Sequence, residues 1–133
     1  MWTVYADGAS RGNPGPASIG AAIISPSGIE VDTVSRRIGR ATNNEAEYQA
    51  AIAGLEVALD VGARNLQLKM DSELVIRQLL GRYKVRNERL KPYFVRLLEL
   101  RTRFDSVQLE SIPRALNWRA DELANLALDT PEG

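Results

Sequence analysis

Trp2-Thr3-Val4-Tyr5-Ala6-Asp7 alternates, with Trp2, Val4 and Ala6 on one side and Thr3, Tyr5 and Asp7 on the other. A two-residue period of this kind marks a half-buried strand. The stretch 8–16 that follows is rich in glycine and proline and reads as a turn, and 17–25 reads as a second strand. Pro26-Ser27-Gly28 then turns the chain tightly into a third strand at 29–38. Three strands joined by turns form an antiparallel meander. Downstream the pattern changes. Thr42-Asn43-Asn44 offers capping side chains for a long helix to about Val61, with Gly62 placed to end it. A fourth strand at 65–71, a short helix at 72–80, a loop at 81–87, a helix at 88–103, a fifth strand at 107–112 and a helix at 119–128 complete the pattern. Strands reached through helical crossovers return in the same direction, so the fourth and fifth run parallel to the first. The expected architecture is α/β: a mixed five-stranded sheet with helices on both faces, as one domain over 1–133.

At 133 residues folding buries somewhat under ~70% of the unfolded chain's surface, enough for a core without disulfides. The chain has no cysteine and no histidine. Thiolate nucleophiles, zinc–cysteine sites, Ser-His-Asp relays and histidine general bases are thereby excluded. Chemistry must come from carboxylates, hydroxyls, amides, Lys, Arg or a metal held by oxygen. No uninterrupted apolar run reaches the length of about 18 residues that spans a bilayer, and the first residues lack a basic start and an apolar signal core. The expectation is a cytoplasmic protein. Net charge is zero, yet segment 82–103 carries eight basic residues against two acidic ones. Residues 1–60 carry four basic against seven acidic. A local basic face on a neutral chain points to a polyanionic partner held at one place, unless it is only a solvated helix face.

Carboxylates stand at positions that packing does not explain. On a wheel of 100° per residue, Glu45, Gln49, Glu56 and Asp60 share a face expected to meet solvent, whereas Glu47 lies opposite, among Ala51, Leu55 and Ala58. An ionised glutamate centred on an apolar face is costly unless compensated, although a place in the first helical turn suits the dipole. Asp7 and Asp71 end two strands expected to be adjacent and parallel, which puts both at the carboxyl edge where open α/β sheets bind ligands. Singly, Asp7 also fits an Asp-Gly turn, Asp71 a helix cap, and Asp121 a residue that compensates the dipole of the last helix. Together they form an oxygen-rich cluster of the kind that holds a hard cation. With a basic surface and no imidazole, the chemistry such a cluster points to is phosphodiester displacement assisted by two Mg²⁺ ions.

The residues that carry these features resemble a known family. Asp7-Gly8-Ala9-Ser10-Arg11-Gly12-Asn13-Pro14-Gly15-Pro16-Ala17, Thr42-Asn43-Asn44-Glu45-Ala46-Glu47, Met70-Asp71-Ser72 and Arg119-Ala120-Asp121-Glu122-Leu123-Ala124 stand in the order and spacing of type 1 ribonuclease H. The resemblance covers essentially the whole chain and implies the ribonuclease H-like sheet. The activity it implies is cleavage of the RNA strand of RNA–DNA hybrids with two divalent ions, Mg²⁺ with Mn²⁺ as a substitute. It assigns the metal ligands to Asp7, Glu47, Asp71 and Asp121. Asp7 and Asp71 would touch both ions, Glu47 would hold one and accept from a ribose hydroxyl, and Asp121 would hold the other. Asn13 and Asn44 match contacts to RNA 2′-hydroxyls, which distinguish RNA from DNA. Asn43 and Thr42 match the grip on the DNA strand. Gly8, Ser10, Arg11 and Gly12 fall in the substrate-facing turn, where Gly8, Gly12 and Gly15 would let backbone approach phosphates.

Two departures from the family's pattern stand out. Many members carry a histidine before the last aspartate; here Arg114 is the nearest candidate, and it cannot titrate at working pH. The segment 81–87 is too short for the extra basic helix of some members, so Lys84, Arg86, Asn87 and the following helix are expected to grip nucleic acid. The same residues leave two other readings open: a nuclease of this fold acting on double-stranded RNA or another duplex, and a binding module without catalysis. A monomer without an obligate protein partner is expected.

Overall fold

The computed structural model describes residues 1–131. Its sheet has five strands in the order β3-β2-β1-β4-β5: β1 (Trp2–Ser10), β2 (Gly15–Ile24), β3 (Glu30–Ala41), β4 (Asn65–Met70) and β5 (Ser106–Ser111). β1 to β3 are an antiparallel meander, and β1, β4 and β5 run parallel. Helices α1 (Asn43–Asp60), α2 (Glu73–Leu79), α3 (Lys91–Arg101) and α4 (Trp118–Asp129) complete the fold, with one turn of 3-10 helix at Arg114–Asn117.

The meander strands are longer than their residue pattern suggests. β1 continues through the glycine-containing run to Ser10, which pairs with Ala17, so only residues 11–14 lie outside the strands. Arg11 N donates to Pro16 O at 2.9 Å and closes the hairpin. β3 extends to Ala41 past an irregularity opposite Ala17 and Ser18. Ladder partners, absent from a local reading, hold these residues extended. The helix expected over 88–103 starts only at Lys91. Asn87 Oδ1 accepts from Arg89 N at 2.9 Å and Leu90 N donates to Asn87 O, which makes a turn of 87–90, and Pro92 then sits in the first helical turn, where its missing N–H costs nothing.

Two opposite faces of the sheet are covered by helices that come unusually close. A Cβ on Gly54 of α1 would stand 2.8 Å from Val4 Cγ1. On the other face, a Cβ on Gly20 of β2 would overlap the backbone of α4 at Ala120, Leu123 and Ala124. Ala46, Ala50, Ala51, Ala53 and Ala58 keep α1's buried stripe equally thin, and Leu55, Leu66, Leu68, Met70 and Leu97 fill the space beyond it. α4 is held at its far end by β3, where Arg37 donates to the terminal carbonyls of Ala127, Leu128 and Thr130.

The face of α1 expected to meet solvent is partly covered. α3 packs across it, with Gln49 Nε2 donating to Tyr93 Oη at 3.2 Å and Glu56 paired with Arg96 at 3.2 Å. Among the described residues no helix is long and apolar enough to cross a membrane.

Candidate active site

Asp7 is the seventh residue of an alternating strand, and its cross-strand neighbour is Gly20, the residue over which α4 lies. Its carboxylate therefore stands on the α4 face, where Asp121 projects from α4's first turn. Gly8, one residue on, faces α1. A Cβ there would fall under 3.0 Å from the backbone of Ala46 and Glu47. The missing side chain draws α1's first turn onto the strand and brings Glu47 to the same rim. The close approach expected of Gly8 toward a phosphate is thus made by the protein's own helix. Asp71 follows β4 directly, next to β1. Asp7, Glu47, Asp71, Asp121 and Arg114 line one cleft together with Gly8, Ser10, Arg11, Asn43 and Asn125.

Asp7 is 8% exposed. Burial pushes its carboxyl up to about 8, and Asp71, a hydrogen bond shared with Asp121, the Asp121 charge and Glu47 all act in the same direction. Glu47 is also raised, by burial first and Asp71 to a smaller extent, against a hydrogen bond from the Ser72 hydroxyl that lowers it. Among the described residues no group of three or more acidic side chains is already drawn into a metal-holding arrangement. The four carboxylates line the cleft without closing into a cage.

Several neighbours were not legible as site residues. Asn117, 1% exposed, donates through Nδ2 to Asp71 Oδ1 at 2.8 Å and to Ala6 O at 3.0 Å. Asn125 donates to the Asp121 carbonyl at 3.0 Å and carboxylate at 3.2 Å. The second carried a usable signal, since it follows Asp121 by one helical turn. Asn117 carried a misleading one, because an asparagine before a helix reads as a cap, and its side chain caps nothing.

The expected substrate-facing residues divide into groups. Thr42 Oγ1 accepts from Glu45 N, and Glu45 Oε1 accepts from Thr42 N, which completes a capping box. Asn43 Oδ1 accepts from Ser10 N at 3.1 Å, and Asn13 Oδ1 accepts from Asn43 N at 3.0 Å. These bonds stitch the β1–β2 turn to the start of α1. They occupy the carboxamide oxygens and leave the NH₂ groups of Asn13 and Asn43 to donate outward. Asn44 is exposed beside them. Arg11 is paired with Asp129 at 2.6 Å. Arg114, with its side chain 81% exposed, lies 3.8 Å from Asp121 at the cleft mouth.

Lys84, Arg86 and Asn87 do not line this cleft. Their loop is pinned elsewhere: buried Gln78 donates to Lys84 O at 3.4 Å and accepts from Tyr48 Oη. Arg82, Lys84, Arg86 and Arg89 take no side-chain partner among the described residues. Lys91, Arg96, Arg101 and Arg103 are bonded to Glu88, Glu56 and Glu99, the Leu79 carbonyl, and Glu99. The cations of the basic segment whose side chains have no partner among the described residues therefore sit in the loop, while those of α3 and the residues after it are bonded.

A family model described as reverse transcriptase-like matches residues 5–127. A ribonuclease HI of Halobacterium salinarum is 50% identical over 125 residues, which is 94% of this chain. This chain belongs to the ribonuclease H family. It spans 63% of that relative's length and 35% of the length of mycobacterial relatives that are 46% identical. The crystal structure of RNase H1 from Halobacterium salinarum superposes with a TM-score of 0.94 at 49% identity, covering 96% of this chain and 97% of that one. LC11-RNase H1, solved in complex with an RNA/DNA hybrid, superposes at 0.92 and 40% identity, covering 97% of each chain. Membership of the ribonuclease H family implies dependence on a divalent metal.

Proposed function

We propose that this chain hydrolyses the RNA strand of RNA–DNA hybrids, using two divalent cations held by Asp7, Glu47, Asp71 and Asp121. The observation that carries this reading is the convergence of buried Asp7 with Glu47, Asp71 and Asp121 on one cleft, where burial and all three neighbouring carboxylates disfavour its ionisation. A fold keeps such a cluster where a cation restores balance. The donor set is oxygen alone, without imidazole or thiolate, which fits hard ions such as Mg²⁺ or Mn²⁺.

Two such ions, when bound, would supply activation of the attacking water and neutralisation of charge on the scissile phosphate. The side chains of this protein do the rest. Asp7 and Asp71, at the ends of adjacent parallel strands, would hold the ions together with Glu47 from α1 and Asp121 from α4. Asn13 and Asn44 meet the RNA 2′-hydroxyls that mark the strand to be cut, and Asn43 with Thr42 grips the DNA strand. Arg114 holds a phosphate as a fixed charge. The loop cations bind backbone phosphates away from the cleft. We further infer a monomer without an obligate protein partner.

The test is cleavage of labelled RNA–DNA hybrid, double-stranded RNA and double-stranded DNA, each in Mg²⁺, Mn²⁺ and EDTA. Metal-dependent cutting of the hybrid's RNA strand is expected. Preference for double-stranded RNA would replace the proposed substrate, and binding of hybrid without cleavage in either metal would leave a binding module.

A further inference from the structure

We infer that Asn117 is a positioning residue for the Asp71 carboxylate; this rests on the two-metal reading above. The 3-10 turn Arg114–Asn117, after the edge strand β5, carries the chain back beneath the carboxyl ends of β1 and β4. There Asn117 spends both hydrogens of one NH₂ group. One bonds Ala6 O, the carbonyl just before Asp7, and the other bonds Asp71 Oδ1. A single amide thus ties the strand that bears one carboxylate to the other carboxylate itself.

The orientation of the amide follows from its partners. Both are acceptors, so reversing the group would set Oδ1 against two oxygens. In the orientation that satisfies them, Oδ1 is buried with no partner among the described residues. A buried acceptor without a donor costs free energy, and a leucine of similar size would avoid that cost. The position nevertheless holds an amide, and what the amide supplies that leucine cannot is its pair of donors, one to Ala6 O and one to Asp71; of the two, only the second reaches a site carboxylate. Among like charges Asp71 is otherwise driven to turn outward to water. A lysine or arginine in this place would restrain it equally well but would compete with a cation for it. The neutral N–H restrains one oxygen without cancelling the charge and leaves Oδ2 free.

The test compares wild type with Asn117→Leu, Asn117→Asp, which keeps the shape but loses the donor, and Asn117→Ser, which keeps a shorter donor. Mn²⁺ and Mg²⁺ are titrated without nucleic acid, by calorimetry and by the metal-dependent rise in melting temperature. Hybrid cleavage then gives kcat and KM. Partners that orient metal ligands change metal affinity or activity by about 10–100-fold when lost. Asn117→Leu and Asn117→Asp are expected to need more metal by a factor in that range and to lose kcat with KM unchanged, and Asn117→Ser to fall between them and wild type. Wild-type metal titration and kcat in any folded variant lacking the donor would overturn the inference and leave Asn117 a strut between strands. Should Asn117→Leu and Asn117→Asp fail to fold, Asn117→Ser decides by the same criterion. A wild type that takes up no metal overturns the proposed function and this inference with it.

Discussion

Asp7 connects the electrostatics of the cleft to stability. Its carboxyl is pushed from 3.8 to about 8 by burial and by its acidic neighbours, so the folded state holds a proton that the unfolded chain has released. Between those values the folded form binds more protons, and stability falls as pH rises. The contribution is fully present below about 4 and lost by the time pH passes about 8. Glu47, also raised, acts in the same direction. In EDTA, Asp7→Asn should therefore melt above wild type by a margin that widens from pH 4 to pH 8; a margin independent of pH would show that Asp7 is not the group responsible. Arg114 makes a separate prediction. As a fixed charge at the cleft mouth, it should contribute to turnover without adding a limb to the pH profile. Arg114→Ala should lower kcat at every pH, and an unaltered rate under single and multiple turnover removes it from the mechanism.

Between elements, the site depends on how closely two backbones meet. Gly8 admits α1's first turn, and Ala at that position would drive β1 and α1 apart. Overpacking of this kind typically costs about 1–3 kcal/mol, and backbone opposing backbone leaves little to yield. Gly8→Ala should lower the melting temperature and reduce hybrid cleavage further than stability alone explains, because Glu47 moves with the helix. Wild-type activity in a folded Gly8→Ala protein would contradict this account of how Glu47 is placed. The basic loop gives a prediction of another kind. Lys84 and Arg86 have no side-chain partners among the described residues, unlike the cations of α3. Each phosphate they neutralise adds about −0.9 to the slope of log affinity against log salt on B-form duplex. Replacing both with alanine should flatten the slope for hybrid by up to about two units, whereas replacing the paired Arg103 should change it little. Filter binding across a salt series distinguishes the two.

For the whole molecule, four carboxylates on one rim oppose folding until a cation offsets them. Asp71→Asn should abolish cleavage while leaving hybrid binding detectable. In EDTA it should also raise stability, and neutralising strained sites typically gains about 0.5–2 kcal/mol. Mg²⁺ should stabilise wild type by RT ln(1 + [L]/Kd), about 2.7 kcal/mol at a hundred times Kd, and the variant by less. Melting both proteins in EDTA and in Mg²⁺ gives all four values. If Asp71→Asn melts lower in EDTA and Mg²⁺ shifts both equally, Asp71 plays only a structural part between β4 and α2, whose cap is Ser72.

The architecture was legible because it rests on local periods: the alternation of Trp2–Ala6, the capping run at Thr42 and the crossovers that make β4 and β5 parallel to β1 all follow from nearby residues. The four carboxylates were legible for the same reason, since each stands at an element's end or on a face where packing gives it no purpose. Whatever depends on a partner distant in sequence was decided by tertiary structure. Ladder partners stretch β1 to Ser10 and β3 to Ala41, and α3 covers part of α1's polar face. The side chains of the basic segment are divided by bonding, so that among the described residues those of Arg82, Lys84, Arg86 and Arg89 are free and those of Lys91, Arg96, Arg101 and Arg103 are held. Asn117, 46 residues from Asp71 along the chain, meets it only when the 3-10 turn closes beneath the sheet. A hydrogen bond at that separation leaves no trace in periodicity, because nothing local to either residue requires the other.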